Sequence, residues 1–298
     1  MLTMKSRVGG LATVLAICGL VFFAVNCSDD NGVDSNGDVN TGDTILVPTE
    51  QPNIQSAINA ASNGQVVVVE AGTYSGPGNR DLVTAGKELT IMSADGPAAT
   101  IIDCGGTADS NHRAFAFTSR ETFRTVIDGF TIRGGYIGNG GAIECRSASP
   151  TIRNCIFEDN YATASGGAIR CKAASPTILN STFYGNGAPA GGVVFAIAGA
   201  APQFENCILS YSTQGEAAYC SESTSQITLN CCDVYGNSGG DWVDCLTDQA
   251  GANGNLSLDP AFCDAGAGDY RLQSNSPCSG LNNDCHILIG ALDVGCGN

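Results

Sequence analysis

The chain has 298 residues, including 39 Gly and 15 Cys, and only 14% of its side chains are charged. Its formal net charge of −16 repels nucleic acid phosphates and anionic membrane surfaces at long range, which excludes a nucleic acid partner. The length fits one large domain or two small ones.

Lys5 and Arg7 precede an apolar run, Leu11 to Val25, that ends at Cys27. A basic start and a short apolar core predict a signal peptide over residues 1–26. The run falls short of the ~20 apolar residues that a spanning helix needs. AVNC, Ala24 to Cys27, resembles a bacterial lipoprotein cleavage site, in which the cysteine becomes lipidated. It departs from that pattern at Asn26, where a small residue is preferred. Lipidation of Cys27 would tie the protein to a membrane through a lipid anchor; simple cleavage and an uncleaved anchor are the alternatives. In each case the chain is expected to be exported, either to the cell envelope or outer membrane surface or into the medium, where cysteines can oxidise. Ser28 to Asp43 holds no large apolar residue except two valines. It cannot bury enough surface to offset chain entropy, so residues 27–47 read as a flexible acidic tether.

Thr49 to Ala61 places Ile54, Ala57, Ile58 and Ala61 on one helical face, with Asn63-Gly64 as a stop signal. This segment is expected to be a lid on the domain C-terminal to it. Past this helix the chain repeats itself. SPTIRNCIFEDN, from Ser149, returns 26 residues later as SPTILNSTFYGN. Ile127, Ile152, Ile178, Phe204 and Leu229 form one column. Phe130, Cys155, Ser181, Cys207 and Cys232 form a second, and Ile132, Phe157, Phe183, Leu209 and Val234 a third. Gly135, Asn160, Asn186, Ser212 and Asn237 form a fourth. GGAIEC at Gly140 recurs as GGAIRC at Gly166 and GGVVFA at Gly191.

Periods of this size mean stacked architectures. The units lack helical periodicity and hold short β-prone runs such as TIRN and IFE, separated by Asn or Gly that suit tight corners. Each unit is predicted to close one coil of three short strands, with coils stacked by parallel pairing ~4.8 Å apart. The chain from about Pro48 onward resembles the right-handed parallel β-helix proteins of the pectin-lyase-like superfamily. IQSAINAASNGQVVVVEAGTY, KELTIMSADGPAATIID and the terminal DPAFCDAGAGDYRLQSNSPC carry the likeness. The resemblance implies an all-β, right-handed single-stranded parallel β-helix over residues 48–298, with a short N-terminal capping helix. It further implies disulfide-rich final coils from about residue 240. The fold hosts many activities, so it implies no particular one.

Thirteen cysteines follow Cys27, so at least one is unpaired or bonds outside the chain. Cys155, Cys207 and Cys232 share a column with Phe130 and Ser181 and read as buried filling. Cys145 and Cys171 lie one coil apart at matching positions and are candidates for a cross-coil disulfide. Cys263, Cys278, Cys285 and Cys296 are candidates for reinforcing the tail, which lacks a second capping helix. No spacing suits a zinc site, and no metal or cofactor is expected. With His112 and His286 the only histidines, a catalytic triad has little support, and His286 reads as a surface loop residue.

Enzymes of the resembled superfamily stack acidic groups on adjacent coils. Its lyases hold calcium between Asp residues, its hydrolases pair carboxylates, and its esterases use two Asp and an Arg. The columns here instead stack opposite charges: Asp128 with Arg153, Arg133 with Glu158, Glu144 with Arg170. These read as surface ion pairs, each contributing ~0–1 kcal/mol. The functional alternative is a carbohydrate groove lined by Arg133, Arg153, Glu158 and Asp159, with Tyr136, Tyr161 and Tyr184 as stacking surface. No column holds three carboxylates, and no catalytic residue is identified. Trp242, the only Trp, reads as packing an insertion against the coils, with a sugar platform as the alternative. The expected role is structural, adhesive or glycan-binding, with extracellular polysaccharide or cell-envelope glycan as partner. The alternative is a polysaccharide lyase or glycoside hydrolase.

Overall fold

A computed structural model describes residues 44–296. The signal peptide, Cys27 and the tether up to residue 43 lie outside the described residues. Three parallel sheets wind round one core. The first has eight strands, from Thr44–Val47 through Val66–Val69, Thr90–Ser93, Val126–Asp128, Thr151–Arg153, Thr177–Leu179 and Gln203–Glu205 to Thr228–Asn230. The second has seven, Gly72–Ser75 to Asp233–Tyr235, and the third five, Phe115–Phe117 to Ala218–Cys220. This is the expected all-β parallel β-helix. Thr44–Val47 already pairs with Val66–Val69, so the first coil takes in the last residues of the segment read as tether.

The register explains the repeat. Ile127, Ile152, Ile178, Phe204 and Leu229 are successive strand partners and all are buried. Ile132, Phe157, Phe183, Leu209 and Val234 are too, with the Phe157 and Phe183 rings stacked at 4.6 Å. Burying one such side chain contributes about 1.5–3 kcal/mol. No single coil shields its own members, so this term exists only in the stack.

Two kinds of asparagine turn the corners. Asn154, Asn180 and Asn206 have positive φ, at 53°, 46° and 57°, and serve the turn through their tolerance of left-handed backbone. Asn160, Asn186 and Asn237 are absent from that region and are buried. Their amides face inward and bind backbone. Asn186 Oδ1 accepts from Asn160 N–H at 3.1 Å, and its Nδ2 donates to Phe157 O at 2.8 Å. Asn160 does the same for Gly135 N–H and Ile132 O. The repeat pattern suggests only a corner role for this column; the amide ladder is its larger contribution. The double glycines have a steric cause. A Cβ on Gly141 would overlap the Gly167 carbonyl, and one on Gly167 the Gly192 carbonyl.

Both ends are closed. Helix Ile54–Ala60 buries Ile54, Ala57 and Ile58 as expected, and Asn53 caps it by accepting from Ser56 N–H. It is shorter than the 49–61 segment because Asn53 starts it. Lys87 Nζ donates to the carbonyls of Ile58, Asn59 and Ala61. At the other end a 3-10 helix, Asp244–Gln249, corrects the expectation of no second helical cap. Gln249 imitates a further strand: its Oε1 accepts from Leu229 N–H at 2.9 Å and its Nε2 donates to Ile227 O at 2.7 Å. A Cys220–Cys245 disulfide, unforeseen from the sequence, pins this cap. Trp242 packs against the core beside it.

The tail is the main departure. It forms a cover and not final coils. Phe262–Asp264 and Asp269–Leu272 make an antiparallel pair that lies on the outer face of the seven-stranded sheet. There Ile156 and Ile208 point outward and are buried with Phe262, Tyr270, Leu272, Cys278 and Ile289. Disulfides Cys231–Cys285 and Cys263–Cys296 fasten the cover. Cys278 is a free thiol, lying 3.5 Å from Asp233 Oδ2. Cys145 and Cys171 are register partners but are also free. In-register parallel neighbours keep their Cβ atoms near the strand spacing of ~4.8 Å, beyond the ~3.8 Å a disulfide spans. Cys155, Cys207 and Cys232 are buried as expected, and each thiol donates to the carbonyl two residues back.

The three ion pairs form, with Arg153–Asp128 at 2.8 Å, Arg170–Glu144 at 2.9 Å and Arg133–Glu158 at 3.5 Å. Their carboxylates, Asp128, Glu144 and Glu158, are buried and not at the surface, and Glu144 also binds Arg113 and Arg146. Burial works to raise its pKa, but the bond to Arg146 and the charge of Arg113 prevail and hold it below the ordinary value.

Asn186→Ala strands Asn160 N–H and Phe157 O in the interior and should cost about 2–4 kcal/mol in denaturant unfolding. Asn180→Gly keeps the left-handed corner and should cost under about 1 kcal/mol. Equal losses would remove the distinction between the two columns. Asp233, wholly buried under the tail, is pushed up to about 7, by burial first and by Asp241 and Asp259 next. An unfolded aspartate titrates near ~3.9. From roughly pH 4 to 7 the folded state therefore keeps a proton that the unfolded chain releases, and stability falls as pH rises through that window. Urea midpoints at pH 5 and 8 should show this fall, and Asp233→Asn should flatten it while raising the pH 8 midpoint.

Candidate functional site

The outer edge of the seven-stranded sheet carries a stacked column of Asp103, Arg133, Glu158 and Tyr184, each the register partner of the next. Arg133 is held in the middle. Its Nε binds Asp103 Oδ2 at 3.0 Å and its Nη1 reaches Glu158 Oε1 at 3.5 Å. Burial works against its charge, but the hydrogen bond and charge of Asp103, with Glu158 behind, raise its pKa further. Arg133 is therefore a fixed cation, with its side chain 40% exposed.

Asp159 follows at the corner, in left-handed backbone with φ 51°. Its carboxylate is exposed and accepts no hydrogen bond from the described residues. Partial desolvation beside the sheet, then the charge of Glu158, raises its pKa, against the opposing pull of Arg133. The turn Ala265–Ala267 and strand Asp269–Leu272 of the tail form the opposite wall. Tyr270 is buried there and kept a neutral phenol by burial and the Glu158 charge.

Between sheet and tail runs a cleft. One part, about 550 Å³, is lined by Ile101, Arg133, Glu158, Tyr270 and Arg271. A second, about 440 Å³, adds Asp103 and Asp159 and shares Arg133, Glu158 and Tyr270 with the first. Four carboxylates, counting Asp269, stand against two guanidiniums, so the cleft is acidic and rich in acceptors.

Of the proposed groove residues, Arg133, Glu158 and Asp159 converge here. Tyr184 does not line the cleft; it is half-buried, with its ring 5.3 Å from Tyr270 and 5.4 Å from Tyr211. Arg153 does not reach the cleft. It stands on the eight-stranded sheet against Asp128, on the far side of the Asn154 corner. Tyr161 belongs to a separate strand pair, Tyr136–Asn139 with Tyr161–Ser165. There it stacks on Tyr136 at 5.4 Å and donates to Gln214 Oε1. The single groove read from neighbouring positions fails because adjacent corners belong to different sheets.

Asp103 and Tyr270 were missed. Asp103 pairs with Arg133 across 30 residues, not 25 or 26, because the loop after Asp103 lengthens that coil. Tyr270 lies in a tail without period, and nothing in its local sequence places it beside Glu158. Among the described residues no group of three or more His, Cys, Asp or Glu is arranged to hold a metal ion.

A family model described as right handed beta helix region matches residues 87–256, more than half of the chain. No curated protein matches it. The winding of the three sheets and this match agree, and the chain belongs to the right-handed beta helix family.

Proposed function

We propose that this is an exported β-helix protein, anchored through lipidated Cys27 and spaced from the membrane by its acidic tether, that binds a glycan strand in the cleft between sheet and tail. The observation that carries the reading is Arg133. It is clamped between Asp103 and Glu158, half open to solvent, and faces a cleft that also offers the unpartnered Asp159 carboxylate. Fixed acceptors beside a fixed guanidinium suit sugar hydroxyls, which both donate and accept. The excess of carboxylates favours a neutral glycan over a uronic acid polymer. The three disulfides fit an oxidising compartment.

A second reading, glycosidic hydrolysis, draws on one observation: Asp159, with its raised pKa, sits beside Glu158. Calorimetry with neutral and uronic oligosaccharides separates the two. Binding should favour neutral chains and weaken on the order of tenfold in Arg133→Ala and Asp159→Asn, about 1.4 kcal/mol, without release of reducing ends. Release of reducing ends that Asp159→Asn abolishes would install the hydrolase. Undiminished binding in both variants would move the site elsewhere.

The anchor has its own test. In Cys27→Ala the protein should shift from the membrane fraction to the soluble one, since a lipid chain supplies the attachment. Retention in the membrane fraction would mean an uncleaved apolar anchor.

A further inference from the structure

Away from the cleft, three side chains form a continuous hydrogen-bonded chain. Ser110 Oγ lies 2.9 Å from His112 Nε2, and His112 Nδ1 lies 2.6 Å from Asp81 Oδ2. A carboxylate accepts here, so in the neutral imidazole Nδ1 carries the proton and Nε2 turns its lone pair to the Ser110 hydroxyl. That is the tautomer of a general base aimed at a nucleophile. We propose that Ser110, His112 and Asp81 hydrolyse short-chain acyl esters carried on sugar hydroxyls.

Each member is held by backbone. His112 exchanges both main-chain hydrogen bonds with Tyr136, at 3.0 and 2.9 Å. Asp81 N–H donates to Arg113 O at 2.7 Å, and Asp81 Oδ1 accepts from Arg113 N–H at 3.1 Å, which aims Oδ2 at the imidazole. Ser110 closes a turn with Thr107: its N–H donates to Thr107 O, and Thr107 N–H donates to Ser110 O at 2.8 Å. The N–H groups of Asp109 and Asn111, on either side of Ser110, have no partner among the described residues. They are the donors available to an oxyanion. Ser110 is exposed and the His112 side chain is 21% exposed, so the nucleophile is open to a large substrate.

The chemistry balances with water alone. Ser110 Oγ attacks the ester carbonyl carbon as its proton passes to His112 Nε2. The carbon–alkoxy bond breaks, and the sugar oxygen leaves with that proton. Water then attacks the acyl-serine, giving its proton to Nε2, and the carboxylic acid departs as the proton returns to Ser110. Asp81 steadies the imidazolium. Ser110 stands on an exposed turn, which fits a small acyl group. The antiparallel bridge to Tyr136 puts the His112 and Tyr136 side chains on one face, and Tyr136 stacks with Tyr161. A sugar ring has an aromatic surface beside the base. The choice of a glycan ester rests on the proposed glycan binding; the ester chemistry does not.

The test uses the full chain with 4-nitrophenyl acetate and, separately, a fluorophosphonate probe mapped by mass spectrometry. Turnover and labelling at Ser110 are expected. Ser110→Ala and His112→Gln should lose turnover on the order of 10³-fold, with unchanged thermal melts. Asp81→Asn should lower kcat with little change in KM. Turnover that survives Ser110→Ala, labelling at another residue, or neither turnover nor labelling would overturn the site. Acetate release from an O-acetylated xylan is the second arm. Its absence, with nitrophenyl acetate still cleaved through Ser110, would overturn the glycan ester and leave glycan binding in the cleft to its own calorimetric test.

Discussion

In-register parallel pairing obliges residues 25 or 26 positions apart to share one environment. A side chain that turns inward in one coil has its successor directly above it, so each column must be wholly apolar or wholly satisfied. Ile152, Ile178 and Phe204 meet the first condition. Asn160 and Asn186 meet the second, because each amide binds the backbone of the coil before it, and Asn160 is bound in turn by Asn186. A buried amide without that partner would cost ~1–3 kcal/mol. Stacking converts the cost into a ladder whose geometry also fixes the coil-to-coil register.

The same logic explains the thiols. Cys155, Ser181, Cys207 and Cys232 occupy one column, and each donates to the carbonyl two residues back. Serine and cysteine are interchangeable there because the site needs a small side chain with one donor. Burial raises the pKa of Cys155 to about 12, so it stays a thiol. Each disulfide instead secures a segment outside the repeat: Cys245 of the end cap to Cys220 on the last strand of the five-stranded sheet, Cys285 of the tail to Cys231 at the corner after Asn206, and Cys263 to Cys296 within the tail. Disulfides thus hold the parts that the column rule does not reach.

What was legible in the sequence tracks that division. The columns, the capping face of Ile54, Ala57 and Ile58, and the opposite-charge stacks could be read because a fixed step maps sequence onto vertical contact. The burial of Glu144 could not, since Arg113 approaches it from outside the repeat. Nor could the tail's position over Ile156 and Ile208. Those outward isoleucines are the one available clue, for an exposed sheet face would not ordinarily carry them. The free Cys145 and Cys171 show the converse limit: adjacency in a column does not supply bonding geometry.

Both candidate sites arise where the step breaks. Asp103 meets Arg133 across a lengthened coil, and the same loop brings Ser110 and His112 back to Asp81. Tyr270 and Asp269 reach the cleft only because the tail folds back. A regular column tends to equalise its members: like charges repel between coils, and polar groups are consumed by their neighbours above and below. Unequal groups, such as a clamped guanidinium beside a free carboxylate or a hydroxyl facing an oriented imidazole, need a contact from off the lattice. In this solenoid the repeat supplies rigidity, and the irregular segments laid on its outside supply the asymmetry that chemistry requires.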